Sequence, residues 1–326
     1  MLVNSVGVAL NIFLLSVLFL LLLREVSVRR NFLTSKGVPS IGGISMGMAF
    51  FAGFLLSGPS IDSLPREIKG ILIASAVILI AGIADDRKEL SVIQKFIVQL
   101  IAASILVGFG VRTNIVYLGD PLNVAMSILW ILGITNAMNL LDVMDGLAGG
   151  VSLVIISGFC VISVLNGDSL SLTLSCVLGG TVLGFWVYNI PPAKVYMGNS
   201  GSHFLGLMLA AIGLISRYAT LERTVALLAP VLLLGFPILD TLFLILMRFQ
   251  KGRSAFNKSN DHIALRLLKK GYSKRKTLVL MMGWTLFFVI GGLILSEASN
   301  LFAIMTLVLV GLGSLVLIKK MSCVQI

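Results

Sequence analysis

The sequence predicts an all-α polytopic membrane protein of about 10–11 transmembrane helices, and three observations carry that prediction. Hydrophobic residues make up 57% of the 326 residues and charged residues 12%, about half the ~25% charge of soluble domains. Mean hydropathy is +1.04. The apolar residues gather into eleven runs, and spans of about 20 residues each would consume roughly two-thirds of the chain. Too little is left for a soluble domain, so 1–326 is expected to be one integral-membrane domain.

In order, the runs are 3–23, 41–57, 70–84, 96–111, 115–135, 147–165, 169–189, 203–216, 224–247, 277–295 and 299–318. The first lacks a basic leader, exceeds a signal-peptide core and is followed by Arg24, Arg29 and Arg30, so it is expected to stay as a helix. Run 115–135 is the weakest, being interrupted by Gly119, Asp120 and Pro121. The loops 58–69, 166–168 and 296–298 are short and hold no cluster of reactive side chains. Run 224–247 contains Asp240. A carboxylate at bilayer depth costs about 2.5–3.5 kcal/mol on insertion scales, so Asp240 needs a partner or a task.

Charge distribution orients the spans. The net charge of +11 invites a nucleic-acid reading, but membrane proteins acquire the same excess from cytoplasmic loops. With the N-terminus outside, alternation places 20 Lys and Arg on the inside and 5 on the outside, as the positive-inside rule requires. The C-terminus is then cytoplasmic, and the basic stretch 248–276, with ten cations, is a cytoplasmic loop of the same domain. No nucleic-acid partner is expected. Cys160, Cys176 and Cys323 form no CxxC or disulfide framework and read as packing residues.

The chemistry-bearing residues fall in four clusters on the inner side. The first is Asp85 and Asp86, followed by Lys95 and Gln99; adjacent carboxylates at a helix end can hold a metal or orient a phosphate. The second places Asn136, Asn139, Asp142 and Asp145 at intervals of three, a row that drifts slowly around one side of an α-helix and can line a common cleft. The third runs from Asn189 through Lys194, Tyr196 and Asn199 to Ser202. Its Gly and Ser residues precede an apolar helix and offer backbone N–H groups suited to phosphate, and Tyr196 is suited to stacking on a base. The fourth contains Asp261, His262 and Arg266, the last two sharing a helix face at i,i+4. Converging carboxylates repel without a cation, and Mg²⁺ uses one or two carboxylates plus substrate phosphates.

Taken in order, these clusters resemble the polyprenyl-phosphate N-acetylhexosamine-1-phosphate transferase family, of the glycosyltransferase family 4 type. The resemblance runs from Lys36–Gly43, like the family's Pro-x-x-Gly-Gly segment, to about Ser273. It implies transfer of a sugar 1-phosphate from a UDP-N-acetylhexosamine to a polyprenyl phosphate, with release of UMP. It implies catalytic roles for Asp85, Asp86, Asp142, His262 and Arg266. Substrate contacts are implied for Asn139, Asp145, Asn189, Lys194 and Tyr196, the last beside the uracil, and the clusters themselves add Asn136 and Lys95 as candidate substrate contacts. Mg²⁺, with Mn²⁺ as a substitute, is implied at Asp142 and Asn199.

Three departures stand out. Val143 replaces a glycine in the second motif. Asn199 replaces the family's metal-binding aspartate, which keeps a carbonyl ligand but loses its charge. Ala264 and Leu265 replace further histidines, pointing to the undecaprenyl-phosphate GlcNAc-1-phosphate transferase-like branch and away from the muramoyl-pentapeptide branch. That branch begins O-antigen, teichoic-acid or capsule-like glycans in the bacterial inner membrane, with its catalytic face cytoplasmic. Membrane lipids are expected partners, and a homodimer is left open. The competing readings are a catalytically weakened homologue serving as a scaffold, and a transporter for a phosphorylated or lipid-linked substrate.

Overall fold

The computed structural model describes residues 2–30, 32–35, 37–56, 64–218, 223–254 and 260–324; Lys36, Lys258 and residues 57–63 of the second interhelical loop lie outside them. All eleven apolar runs are helical. The elements are α1 (Leu2–Arg30), a small antiparallel hairpin of β1 (Thr34–Ser35) and β2 (Val38–Pro39), α2 (Gly42–Leu56), α3 (Arg66–Arg87), α4 (Val92–Gly108), α5 (Gly119–Leu141), α6 (Leu147–Leu165) and α7 (Ser169–Asn189). They continue with α8 (Gly198–Ile215), a 3₁₀ turn (Thr224–Leu228), α9 (Ala229–Leu233), α10 (Gly235–Gln250), α11 (Ile263–Lys269), α12 (Lys274–Glu297) and α13 (Asn300–Ser322). Eight helices are long and apolar enough to cross a membrane, and the run containing α9 and α10 is bent by 69° at its break. The other two runs form the shorter helices α2 and α4, of 15 and 17 residues. This is an all-α, multi-pass membrane fold.

Several helices outrun their apolar stretches, because caps rather than hydropathy terminate them. α4 begins four residues before its run at a capping box, Ser91 receiving the Gln94 N–H while Gln94 accepts the Ser91 N–H. Such reciprocal bonds satisfy two backbone donors that the helix cannot. α5 continues through Asn136 and Asn139 and ends at Leu141. Asp142 and Asp145 therefore lie in the turn before α6, which Gly146 closes with φ of 76°. The period-three row thus divides into two helical residues and two turn residues.

α8 is the central helix, buried continuously from Ser200 to Gly213 and packed by α2, α3 and α5. Close approach at its start depends on glycine. A Cβ at Gly43 would lie 2.2 Å from the Gly201 nitrogen, and one at Gly82 would lie 2.4 Å from the Ser200 Cα. Those contacts bring the start of α2 and the end of α3 against the beginning of α8. α1 and α13 are peripheral and expose long apolar rows, the surface a hydrocarbon solvent favours.

Candidate active site

A polar cavity of about 560 Å³ opens where the end of α3, the turn after α5, the start of α8, the start of α12 and the β1–β2 hairpin converge. It gathers Asp85, Asp86, Asp142, Asp145, Asn189, Tyr196 and Asn199, residues spread over 115 positions of sequence. Lys274 and the hairpin residues Thr34 and Ser35 complete its wall.

Asp86 does not simply face the cavity. Its Oδ1 accepts the Asn199 N–H at 2.6 Å, and its Oδ2 accepts the Ser200 N–H at 3.1 Å and the Ser200 hydroxyl at 2.6 Å. The carboxylate is an N-cap supplied to α8 from another helix, placed where the helix dipole favours negative charge. This corrects the expectation that the Gly/Ser turn leaves its N–H groups free for phosphate, since the donors of Asn199 and Ser200 are already taken by an anion. Asp85 is also engaged: Lys95 contacts its Oδ2 at 2.7 Å, and the Leu90 N–H reaches Oδ1 at 2.7 Å. The pair ties the end of α3 to α4.

Asp142 is different. Its carboxylate makes no side-chain hydrogen bond among the described residues. Burial first, and then the charges of Asp86 and Asp145, push its pKa up to about 7. A carboxylate so placed gains from any cation that enters. Asp145 faces it across the turn and pairs with Lys274 at 3.0 Å.

The amides bind these pieces together. Asn139 donates to the Asn199 Oδ1 at 3.2 Å and to the Ser202 hydroxyl at 2.9 Å. Asn189 accepts the Gly146 N–H at 2.9 Å and donates to the Val195 carbonyl at 2.8 Å, so both ends of its amide are spent on holding two loops. Tyr196 lines the cavity, and its backbone joins β2 and the entry of α2 through Pro39 and Gly42.

Six expected site residues lie outside the cavity lining: Asn139 and Lys95, whose partners are given above, together with Asn136, Lys194, His262 and Arg266. Asn136, one turn before Asn139 and rotated by ~60° from it, exchanges hydrogen bonds with Gln99 on α4 at 2.7 and 3.2 Å. Lys194 is exposed beyond the rim. His262 pairs through Nδ1 with Asp240 at 2.8 Å, and Asp240 also accepts the Ile263 N–H at 2.9 Å; this is the partner the intramembrane carboxylate requires. Arg266 is 2% exposed. It bonds Asp261 at 2.7 Å and the Met321 carbonyl at 2.9 Å, reaches the Val324 carbonyl, and lies over the Phe243 ring. Asp261 also pairs with Lys251 at 2.6 Å. Burial alone would raise the Asp261 pKa, but hydrogen bonds and charge from Lys251 and Arg266 bring it below the usual carboxylate value.

Sequence reasoning did not single out Lys274, Ser200 or the β1–β2 hairpin. Lys274 is one of ten cations between 248 and 276, and composition cannot rank them. Ser200 carried a signal as the third residue of a helix, but its acceptor lies 114 residues away.

Helices long and apolar enough to cross a bilayer, with carboxylates from separate helix ends collected in one polar cavity, define the class: an integral-membrane protein with a candidate active site. Residues 68–217 match the family described as glycosyl transferase family 4. The chain is 32% identical over 285 residues to the Bacillus subtilis protein named "Probable undecaprenyl-phosphate N-acetylglucosaminyl 1-phosphate transferase", covering 84% of this chain and 78% of that one. It is 36% identical to the decaprenyl-phosphate N-acetylglucosaminephosphotransferases of Mycobacterium leprae, over 76% of this chain and 70% of the relative, and of Mycobacterium tuberculosis, over 81% and 72%. The chain belongs to this family of membrane glycosyltransferases and is a phosphotransferase.

Proposed function

We propose that the protein transfers N-acetylglucosamine 1-phosphate from UDP-N-acetylglucosamine to a polyprenyl phosphate such as undecaprenyl phosphate, releasing UMP. The reaction would run at the cytoplasmic face of a bacterial plasma membrane and begin a cell-envelope glycan. The observation that carries this reading is the cavity itself: four carboxylates at one end of the helix bundle, one of them, Asp142, without a side-chain hydrogen bond among the described residues. The names of the relatives supply the substrate classes.

The bond that forms joins an acceptor phosphate oxygen to the sugar-bearing phosphorus of the donor. The bond that breaks leads to the phosphate of UMP. Both reactants are anions, so repulsion is the first obstacle. Asp142 fits a divalent cation such as Mg²⁺, because such ions take one or two carboxylates together with substrate phosphates. The Asn199 side-chain carbonyl oxygen, held by Asn139, would offer a neutral second ligand. A bound Mg²⁺ or Mn²⁺ would neutralise the diphosphate and the charge gathering on the leaving phosphate.

The remaining groups orient the reactants. A phosphate monoester has a second pKa of about 6, so it is already largely dianionic at neutral pH and needs little help losing a proton. Asp85 and Asp86 therefore act by positioning: one holds Lys95 on α4, and the other fixes the start of α8 beside Asn199. Tyr196 offers a ring for the uracil. Clustering of these groups at one bundle end, rather than at the midplane, favours transfer over transport.

The test is UMP release by the purified protein in detergent with undecaprenyl phosphate, Mg²⁺ or Mn²⁺ and a panel of UDP-N-acetylhexosamines. Release that needs both lipid and metal, with UDP-N-acetylglucosamine as the donor, is the expected result. Preference for another UDP-sugar would revise the sugar, and silence across the panel would overturn the reaction.

A further inference from the structure

We propose that Lys274 is the protein's cationic contact for the nucleoside diphosphate of the donor, and that its bond to Asp145 is the resting state which the donor displaces. This rests on the transferase reading above and names the group that receives the substrate's charge.

Lys274 is the only Lys or Arg among the described residues lining the cavity, whose wall otherwise carries Asp85, Asp86, Asp142 and Asp145. A diphosphate entering that wall meets repulsion unless cations meet it as well. The other nearby ammonium, Lys95, is bound at 2.7 Å to a carboxylate whose side chain is 2% exposed. Lys274 is held at 3.0 Å by Asp145, and its own side chain is 57% exposed. Exposed ion pairs contribute ~0–1 kcal/mol, so exchanging Asp145 for a phosphate costs little. Buried pairs are not exchanged so cheaply, because breaking one leaves an uncompensated charge.

The placement is built into the fold. Lys274 is the first residue of α12, whose Ser273 hydroxyl caps the Lys276 N–H at 3.3 Å. Its neighbour Arg275 donates to the Pro191 carbonyl at 3.2 Å, tying the helix start to the loop that carries Tyr196. Lys276 is directed elsewhere, over the Tyr272 ring. One of three consecutive cations is thus delivered to the cavity, on the Tyr196 side and away from Lys95. That position assigns it to the nucleotide rather than to the acceptor phosphate.

The experiment compares UDP with uridine, which keeps the base and ribose but lacks the phosphates, as ligands of the full-length protein in detergent with Mg²⁺ present. For Lys274→Gln, UDP affinity is expected to fall about tenfold and uridine affinity to stay within about twofold, since a tenfold change corresponds to ~1.4 kcal/mol, the scale of one charge-assisted contact. Lys274→Arg should stay near wild type, and Lys276→Gln should leave UDP binding unchanged, which controls for net charge. Equal losses on UDP and uridine, or no loss on either, would overturn the assignment. So would an increased KM for undecaprenyl phosphate with UDP affinity intact, which would move Lys274 to the acceptor. Failure of the wild-type protein to bind UDP would instead sink the transferase reading, and this inference with it.

Discussion

Two parts of the molecule carry clustered charge in opposite ways. Around α11, Asp240 pairs with His262, Asp261 pairs with Lys251 and Arg266, and Arg266 holds the carbonyls that end α13. The charged groups in that cluster are matched by another part of the chain. At the cavity, Asp86 and Asp85 are matched likewise, but Asp142 is left without a partner among the described residues and Asp145 holds an exposed lysine. A charged cluster that closes on itself is satisfied without a ligand, whereas one that leaves a carboxylate unmatched beside open space gains from one. The physical ground is the cost of an unpaired, partly desolvated charge, which folding alone would not retain.

The sharpest way to break this comparison is to neutralise each cluster. Asp142→Asn is expected to lower UMP release by about 10³-fold, as loss of a preorganised charge contact in an active site does, while leaving thermal unfolding in detergent close to wild type. Wild-type turnover in that variant would remove Asp142 from the chemistry. Arg266→Ala should do the reverse. It strands Asp261 and the terminal carbonyls, with an expected loss of about 3–5 kcal/mol of stability, while the protein that remains folded keeps most of its turnover. A large kcat defect in fully folded Arg266→Ala would place the guanidinium in the reaction after all.

The sign of the pH dependence adds a check on the same variant. The Asp261 pKa is below its ordinary value in the folded protein, so its contribution is present above the usual carboxylate range and is lost as pH falls through the lowered value. The stability gap between wild type and Arg266→Ala should therefore narrow in acid, as read from unfolding midpoints at descending pH. A gap that widens would contradict the pairing.

Asp86→Ala probes the boundary between the two kinds of cluster. It removes three hydrogen bonds from the start of α8 and should cost about 2 kcal/mol, the upper range for a lost cap, with activity falling because Asn199 and Asn139 lose their register. Asp86→Asn should fall between the two. The smallest effect belongs to Asn199→Asp, which restores a carboxylate beside Asp142. The expected change is about tenfold less Mn²⁺ for half-maximal binding, measured by electron paramagnetic resonance, in line with affinity set by ligand charge count. No change in Mn²⁺ affinity would place the metal away from residue 199.

Much of the fold was legible because hydropathy and capping are local. Ten of the eleven runs each became one helix and the run 224–247 a bent pair, and Asp240 was marked as needing a partner before His262 was seen to supply it. The site was legible in part. Asp142, Asp145, Tyr196 and Asn199 reach the cavity, whereas Asn136 turns to Gln99 and Arg266 to the C-terminal carbonyls. A motif establishes that a polar residue is needed but does not identify the group it meets.

By itself the sequence determined the membrane class, the number of helical runs and the clusters that meet at one end. These follow from transfer energy and from the rule that backbone in lipid must satisfy itself within the helix. Only the tertiary structure decided which charges are already spent. Asp86 finds its partners 113 and 114 residues away, and Lys274 is chosen from ten cations by where α12 begins. Such pairings depend on the close passage of helices at Gly43 and Gly82, a property of the packed bundle that no stretch of sequence contains.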